Sequence, residues 1–357
     1  MSPPTIVDIA RAAGVSIKTV SRVINREPGV SQKTKEAIEA VVAKLNYTPN
    51  AWARSLRSTR SYTIALLSNY IAYNTSINYA QRILGGALDA CSSTGYHLMV
   101  ERVRKANGLK QKIEEILKAR QIDGLILIPP ESDNERLIDR LQEERFPFVR
   151  ISPYKRLDIG SYVQVNDWQA AYEMTKYLLE IGHRDIALVR GPTTHGSAAE
   201  RYRGFMIAME EGGGRIKEDW IVRGEFDINS GMQAGEKLFS GRSRPTAVLA
   251  GNDDMAIGVM SAGYRHGLSL PRDVSVAGID GNPIAEAFCP PLTTMSQPIL
   301  QIGQVATKLL IESLNNHNPG LEKRKVFPFK KVVRESTLAL PSTPDLHKRS
   351  RSNTSSR

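Results

Sequence analysis

The sequence predicts an α/β protein in which a small helical module precedes a much larger core. Two observations support this fold class. Within residues 1–60, apolar residues recur at the three- and four-residue spacing of short amphipathic helices. From Tyr62 onward, short apolar strand patterns alternate with helical patterns of about 10–15 residues, an alternation typical of βαβ units and parallel sheets.

The helical module starts with two short helices joined by a tight turn, between Thr5 and Asn25. Thr5 is a favourable N-cap, and Asp8 follows it at the spacing of a capping box. Gly14 suits the left-handed turn that ends the first helix, and Ser16 caps the second. The predicted buried face consists of Ile6, Ile9 and Ala10 from the first helix and Val20, Val23 and Ile24 from the second.

The outward face of the second helix has the chemistry of a DNA reader. Helix-turn-helix proteins place the N-terminal part of their second helix in the major groove. Lys18 and Arg22 can donate to guanine, and Ile17 can contact a thymine methyl group. The alternative is an ordinary pair of small helices in a helical domain. The predicted DNA-binding residues are Thr5, Ser16, Ile17, Lys18, Thr19, Ser21, Arg22, Asn25, Ser31, Thr34, Ala53 and Leu56.

A third helix and a hinge complete the module. The third helix should run from Ser31, a second N-cap, to about Leu45, and its apolar stripe can close a three-helix core. The segment AWARSLRS, within residues 50–58, is too short to form a stable helix alone. We therefore expect a hinge helix that forms only when another surface packs on it.

The positive charge of the chain is concentrated at its two ends. The formal net charge is +11, and residues 1–60 carry +6 of it, with ten Lys or Arg against four Asp or Glu. Residues 341–357 add +3, so the long middle is nearly neutral. A basic amino-terminal module indicates a polyanionic partner. The Ser- and Arg-rich tail of residues 341–357 is predicted to be disordered.

The sequence lacks the signatures of several classes of protein. Cys91 and Cys289 are far apart, which excludes a CxxC metal or redox motif and a disulfide framework. No signal peptide is visible, and the most apolar run, residues 124–130, is too short to cross a bilayer. GxSxG, HExxH, Walker A and GxGxxG motifs are missing. We therefore expect a cytoplasmic protein that is not an enzyme, with no metal, no cofactor and no membrane partner.

The α/β units of residues 61–340 are too numerous for one compact sheet, and about 280 residues suit two lobes. Ligands of such lobes lie at the carboxyl ends of the strands. Asn252 and Asp280 each follow a predicted strand, so both are candidate ligand contacts. The scattered histidines are expected to be surface or capping residues, and they are His97, His183, His195 and His266.

A resemblance to a known family covers residues 5 to about 340. It rests on the amino-terminal TIVDIARAAGVSIKTVSRVIN and VSQKTKEAIEAVVAKLNYTPNAWARSL, which closely resemble the lactose-repressor/galactose-repressor (LacI/GalR) family of bacterial transcription regulators. GHRDIALVRGP, PTAVLAGNDDMAIG and DVSVAGIDG are similar to that family's effector-binding core. The resemblance implies two Rossmann-like lobes of the periplasmic-binding-protein type. It assigns lobe one to residues 62–162 and 295–321, and lobe two to residues 163–292 and 323–340.

The resemblance also implies a small effector in the cleft between the lobes. The positions it assigns to effector binding are Arg201, Asn252 and Asp280 as anchors, Phe226 as the cleft aromatic and Gln297 on the crossover strand. Neighbouring hydroxyl groups of a sugar need paired donors and acceptors, which the polar side chains of this set supply. The aromatic ring offers an apolar surface for the C–H groups of a sugar ring.

The chain departs from the lactose-type pattern in lobe one. Residues 128–130 and 151–153 are Ile-Pro-Pro and Ile-Ser-Pro, where polar pocket residues are often found. Aromatic and amide residues cluster instead within residues 69–74, from which we take Tyr73 as an effector contact. This composition favours a saccharide effector and a repressor of carbohydrate-utilisation genes. The alternatives are a regulator that answers to a non-sugar effector such as a nucleobase, and a sugar-binding protein without a DNA role.

A single helix-turn-helix reads only a few bases, so we expect a homodimer on a near-palindromic operator in double-stranded DNA. The tail after Pro341 lacks the leucine heptad of tetrameric relatives, which favours a dimer. The family's wedge residue falls on Leu56, which would enter the central base step and bend the duplex. The alternative is that Leu56 packs against the core. Ordering of the hinge helix would then transmit the effector signal to DNA.

Overall fold

The computed structural model describes residues 4–24, 28–45, 47, 60–68, 77–102, 106–119, 121–315 and 322–341. Contacts divide the chain into two compact units, residues 1–62 and residues 63–357. The hinge of residues 50–58 and the tail from residue 342 onward lie outside the described residues. The same is true of four predicted site residues, Asn25, Ala53, Leu56 and Tyr73.

The described residues of the first unit form three helices: α1 (Ile6–Ala13), α2 (Ile17–Ile24) and α3 (Gln32–Lys44). One apolar residue from each, Ile9, Val20 and Ile38, is fully buried in a common core. Gly14 has φ 64°, the left-handed conformation predicted for the end of α1. The local signals of the sequence therefore determined this module correctly.

The second unit is larger and alternates strands with helices. Its strands are β1 (Thr63–Ser68), β2 (His97–Arg102), β3 (Gly124–Leu127), β4 (Phe148–Ile151), β5 (Ser161–Val165), β6 (Ile186–Arg190), β7 (Ile221–Arg223), β8 (Ala247–Ala250), β9 (Ser275–Asp280), β10 (Thr293–Ser296), β11 (Arg324–Phe327) and β12 (Lys330–Val332). Its helices are α4 (Ile77–Thr94), α5 (Ala106–Ala119), α6 (Glu135–Glu143), α7 (Asp167–Glu180), α8 (Gly196–Glu211), α9 (Ile228–Phe239), α10 (Asp253–Arg265), α11 (Pro283–Ala287) and α12 (Ile299–Asn315).

These strands form two six-stranded sheets, as the sequence predicted for two lobes. The sheet of lobe one has the order β11-β5-β4-β3-β1-β2, and that of lobe two has the order β12-β10-β9-β8-β6-β7. Neighbours are parallel except for β10 and β12, which are antiparallel. The central strands of both sheets are apolar and buried because helices cover both faces, whereas the edge strands β2, β11 and β12 contain polar residues and are partly exposed.

The expected boundaries between the lobes were wrong at three places. β5 continues lobe one to Val165, whereas the crossing was placed at residue 163. β10 pairs with β9, so Met295 belongs to the sheet of lobe two. β11 pairs with β5, so residues 324–327 belong to lobe one rather than lobe two. A short strand belongs to the sheet of the strand with which it pairs, and the local sequence does not specify that partner.

Helices α4 and α12 pack together at backbone distance in lobe one. A β-carbon added at Gly86 would lie 1.9 Å from the carbonyl oxygen of Leu300, and one at Gly303 would lie 2.3 Å from that of Ile83. Both positions therefore require glycine, because any side chain would separate the helices. This contact holds the middle of α4 against α12, and the first turn of α4 lines a cleft.

Candidate functional site

The start of α2 is fixed by hydroxyl groups. The backbone N–H of Thr19 donates to Oγ of Ser16 at 3.1 Å, and the two hydroxyl oxygens are 2.8 Å apart. α3 begins in the same way, with the N–H of Thr34 donating to Oγ of Ser31 at 3.3 Å. Thr5 donates through its N–H and its hydroxyl to the carboxylate of Asp8. These residues therefore set the directions of the three helices.

The outward face of α2 carries the predicted base-reading residues. Lys18 is exposed, and Ile17 is 37% exposed although it is a large apolar residue. Thr19, Ser21 and Arg22 are half-buried beside them. A cation next to an unburied apolar side chain on one helical face matches what base edges in the major groove require.

A cavity of about 50 Å³ lies between the two lobes of the second unit. Lobe one contributes Tyr79, Ala80, Ile128, Pro129 and Ser152. Lobe two and the connection after β10 contribute Asp167, His195, Ser197, Arg201, Phe226, Asn252, Asp280 and Gln297. All the sequence-predicted effector residues that the structure describes therefore meet at one place.

Arg201 is the central cation of the cleft. Its side chain is buried, and Nε donates to Oδ1 of Asp167 at 2.6 Å while Nη2 donates to Oδ1 of Asp280 at 3.4 Å. Nη1 donates to the carbonyl oxygen of Gly251. Burial by itself would lower the pKa of Arg201, but the two carboxylates outweigh it and raise the pKa above its ordinary value. The guanidinium therefore stays charged and holds both carboxylates in place.

Asp280 ends β9 and lies beside Gln297, which follows the neighbouring strand β10 of the same sheet. Nε2 of Gln297 donates to Oδ1 of Asp280 at 2.6 Å, and Oε1 of Gln297 is buried without a hydrogen-bond partner. Burial raises the pKa of Asp280 to about 7, Arg201 opposes this effect, and the nearby Asp253 adds to it. On this side of the cleft, Asp280 and Gln297 thus offer acceptor oxygens to a ligand that donates hydrogen bonds.

Asn252 has a scaffolding role that the sequence did not reveal. Its Oδ1 accepts the N–H of Met255 at 2.9 Å and so caps α10, while Nδ2 donates to the carbonyl oxygen of Phe226 at 3.1 Å. Phe226 has φ 61°, an uncommon conformation for a bulky residue. Asn252 therefore helps hold the ring of Phe226 in the cleft and keeps only limited capacity for a ligand.

Asp167 and Tyr154 belong to the site, although sequence reasoning missed both. Asp167 is fully buried at the start of α7, and its second carboxylate oxygen accepts the hydroxyl of Tyr154 from the β4–β5 connection. Tyr154 also lies against Gly196, where an added β-carbon would be 2.4 Å from it. One signal was available, because Asp167 follows the carboxyl end of a strand, as Asn252 and Asp280 do.

His195 is the N-cap residue of α8, one of the two places expected for the histidines, but it does not lie at the surface and its side chain makes no capping hydrogen bond. Its side chain is buried in the cleft, and its ring lies edge-on to Phe226 with 5.5 Å between the centroids. Burial lowers the pKa of His195 to about 4, and the charge of Arg201 adds to the effect, so the imidazole is neutral near pH 7. His183 is likewise buried, and its ring nitrogens contact Thr246 and the carbonyl of Leu338.

Membrane-spanning helices and metal sites have no candidate in the described part of the chain. No helix there is long and apolar enough to cross a membrane. No group of three or more His, Cys, Asp or Glu side chains within those same ranges is arranged to hold a metal ion.

Family models match two parts of the chain. Residues 5–50 match the model described as bacterial regulatory proteins, lacI family, and residues 175–337 match the periplasmic binding protein-like domain. The HTH-type transcriptional repressor PurR of Photorhabdus laumondii is 34% identical over 91% of this chain and 94% of its own length. PurR of Edwardsiella ictaluri is 35% identical over 94% of this chain and 97% of its own.

Solved structures show the same similarity over the whole fold. The lac repressor dimer bound to operator and the anti-inducer ONPF has a TM-score of 0.76 and 27% identity, covering 95% of this chain and 100% of that one. The complex of the transcriptional regulator CelR with cellobiose has a TM-score of 0.71 and 29% identity, covering 93% and 99% of the two chains.

Proposed function

The chain belongs to the lacI family of bacterial regulatory proteins, and we propose that it represses transcription under the control of a small, uncharged ring compound bound between its lobes. Its function as a DNA-binding transcriptional repressor, and not an enzyme, follows from relatives that it matches over more than nine-tenths of their length. The single observation that supports the ligand site is Arg201, buried between Asp167 and Asp280 in a cleft built by both lobes.

Charge and shape limit the chemistry of the ligand. All three guanidinium nitrogens of Arg201 already have acceptors, and His195 is neutral, so no uncommitted cation is offered to a phosphate by the described lining. Ile128 and Pro129 supply an apolar surface from lobe one, and Phe226 supplies one from lobe two. Two apolar walls with acceptor oxygens between them suit a flat ring that carries N–H groups, such as a nucleobase.

The nucleobase, weighed as the alternative to a saccharide on sequence grounds, is the first candidate. The similarity to PurR repressors at 34–35% identity supports it, and the apolar wall of lobe one fits it. A saccharide is the second candidate, because a relative of 29% identity and similar fold binds cellobiose. The donors and acceptors around Asp280 could serve the hydroxyl groups of a sugar equally well.

A thermal-shift screen separates these candidates. Hypoxanthine, guanine, adenine, cellobiose and ribose are added in turn to the full chain, and a ligand raises the melting temperature by mass action. Asp280→Ala should abolish the shift, since losing one member of a buried charged hydrogen-bond set typically costs about 2–5 kcal/mol of binding. Glu200→Ala, which alters a partly exposed carboxylate beside Arg201, is the matched control. A shift that survives Asp280→Ala would contradict this assignment of the site.

We propose further that the repressor acts as a homodimer on a near-palindrome. One α2 reads only a few bases, and two half-sites about one helical turn apart would supply the rest. Ile228, Tyr264 and Ile284 on lobe two are each more than a third exposed, so they are available for a contact between subunits. Selection from random duplex DNA should return inverted repeats, and light scattering should give twice the chain mass. A monomer that binds a single half-site with full affinity would refute the dimer.

A further inference from the structure

A polar seam joins the two lobes directly beside the cleft. Nδ2 of Asn78, in the first turn of α4, donates to Oδ1 of Asp254 at 2.9 Å. One turn later on the same helix, Nη1 of Arg82 donates to the carbonyl oxygen of Gly281 at 3.1 Å. α4 belongs to lobe one, whereas Asp254 lies on α10 and Gly281 follows β9 in lobe two. Both bonds must break when the lobes separate.

The receiving side of the seam is held in place by lobe two. Oδ1 of Asp254 also accepts Nδ2 of Asn282 at 3.1 Å, and the backbone N–H of Asn282 donates to Oδ2 of Asp253 at 2.7 Å. Asp254 and Asn282 are both buried. The acceptor presented to Asn78 is therefore fixed before lobe one contacts it, so bonding costs little loss of side-chain freedom on this side.

The donating side is fixed to lobe one by the packing of α4 on α12. Because Gly86 and Gly303 bring these two helices to backbone distance, α4 cannot shift along α12 without a clash. Tyr79 and Ala80, which directly follow Asn78, line the cleft itself. The seam and the cleft wall are consecutive residues of one rigid helix, so they move together.

We propose that Asn78 and Asp254 are positioning residues that set how far the two lobes of this repressor separate, and thereby how readily the cleft admits its ligand. The part of this inference that concerns the ligand rests on the proposed function. The part that concerns lobe separation does not, because the seam is formed entirely by the chain. Removing the seam favours the open arrangement, and restoring it favours the closed one.

An exchange of donor and acceptor tests the seam. Asn78→Asp places two carboxylates opposite each other and should open the lobes. Asp254→Asn removes the charged acceptor at almost unchanged size and should open them less. The double variant carries Asp on α4 and Asn on α10, which restores a hydrogen bond of the same kind in the opposite direction, and it should close the lobes again.

Lobe separation is measured by electron–electron spin distances on the full chain. Spin labels are attached to cysteines introduced at Gln142 in lobe one and Lys237 in lobe two, both exposed, in a Cys289→Ser background. Asn78→Asp should shift the distance distribution measurably relative to the unsubstituted seam. The double variant should return it to the original position. Asp89→Asn, a change of one charge on the exposed side of α4, is the matched control and should leave it unchanged.

Two results would overturn the inference. One is an unchanged distance distribution in Asn78→Asp, and the other is a shift that the double variant fails to reverse. A lower melting temperature without any change in distance would show that these residues merely stabilise the fold. Because the distances need no ligand, the inference fails or holds independently of the screen. If no nucleobase or saccharide stabilises the chain, the proposed function is contradicted instead.

Discussion

Replacement of Arg201 by Met should destabilise the core strongly. Methionine has a similar length but no charge, so the carboxylates of Asp167 and Asp280 would remain buried without their cation. Both are at most 12% exposed as side chains, and Arg201 is 7% exposed. Removing one partner of a buried ion pair costs about 3–5 kcal/mol of unfolding free energy. At roughly 2–4 °C per kcal/mol for a core of this size, the melting temperature should fall by roughly 6–20 °C.

The free energy of unfolding of the full chain is measured by urea denaturation, with circular dichroism as the signal. Arg203→Met on the same helix is the control, because Arg203 is 61% exposed and pairs with Glu200 at the surface. A surface pair of this kind contributes about 0.3–0.5 kcal/mol. Both variants remove an arginine, but only Arg201→Met removes it from a buried ion pair. The difference between their losses of unfolding free energy therefore reports the burial of that pair.

The pH dependence of the Arg201→Met variant gives a second check. Burial already raises the pKa of Asp280 in the folded state to about 7, and without the guanidinium, which opposes this effect, the pKa should rise further. Groups of this kind contribute stability at low pH and lose it as the pH rises through the folded pKa. The variant should therefore be closer to the parent at pH 5 than at pH 8. A loss below about 1 kcal/mol at pH 8, or one independent of pH, would refute the reasoning.

Three further outcomes are expected. Arg22→Ala should weaken operator binding by about 1–3 kcal/mol, and a selection from random DNA should show weaker base preference at one position. Equal weakening on every sequence would mean that Arg22 contacts a phosphate. Gly86→Ala should lower the free energy of unfolding by about 1–3 kcal/mol or more, because the added β-carbon clashes with α12. At Gly85 an added β-carbon meets nothing nearer than 4.0 Å, so Gly85→Ala should raise the free energy of unfolding by up to about 1 kcal/mol. Burial raises the pKa of Asp280 to about 7 and that of Asp253 to about 6, so their stabilising contribution is complete below about pH 4 and is lost as the pH rises through 6 to 7. His195, with its pKa lowered to about 4, opposes this effect up to about pH 6.5, but the two carboxyl pKa values are shifted by more in total. The parent's free energy of unfolding, measured in urea, should therefore fall between pH 5 and pH 8, and a rise over this range would contradict these values.

Part of the cleft was predictable because its signals are local or positional. Asp280 stands at the carboxyl end of a strand, where any parallel sheet presents its ligand contacts. The family resemblance placed Arg201 and Phe226, and the structure brings both to the same cavity. Their roles as ligand contacts stay predictions, since geometry alone shows only that they meet.

The sequence by itself determined the elements whose causes lie within a few residues. Thr5, Gly14 and Ser31 specify helix ends through their own caps and φ angles, so the helical module follows from reading the chain. Alternating apolar runs likewise determined that the core is built of parallel strands covered by helices.

Only the tertiary structure decided which distant groups share the cleft. Asp167 lies 34 residues from Arg201, and Asp280 lies 79 residues from it. Whether His195 faces water or the cleft, and whether β11 joins one sheet or the other, depends on which neighbour each finds after folding. No local pattern encodes these pairings, because burial and the electric field at a side chain are properties of everything packed around it.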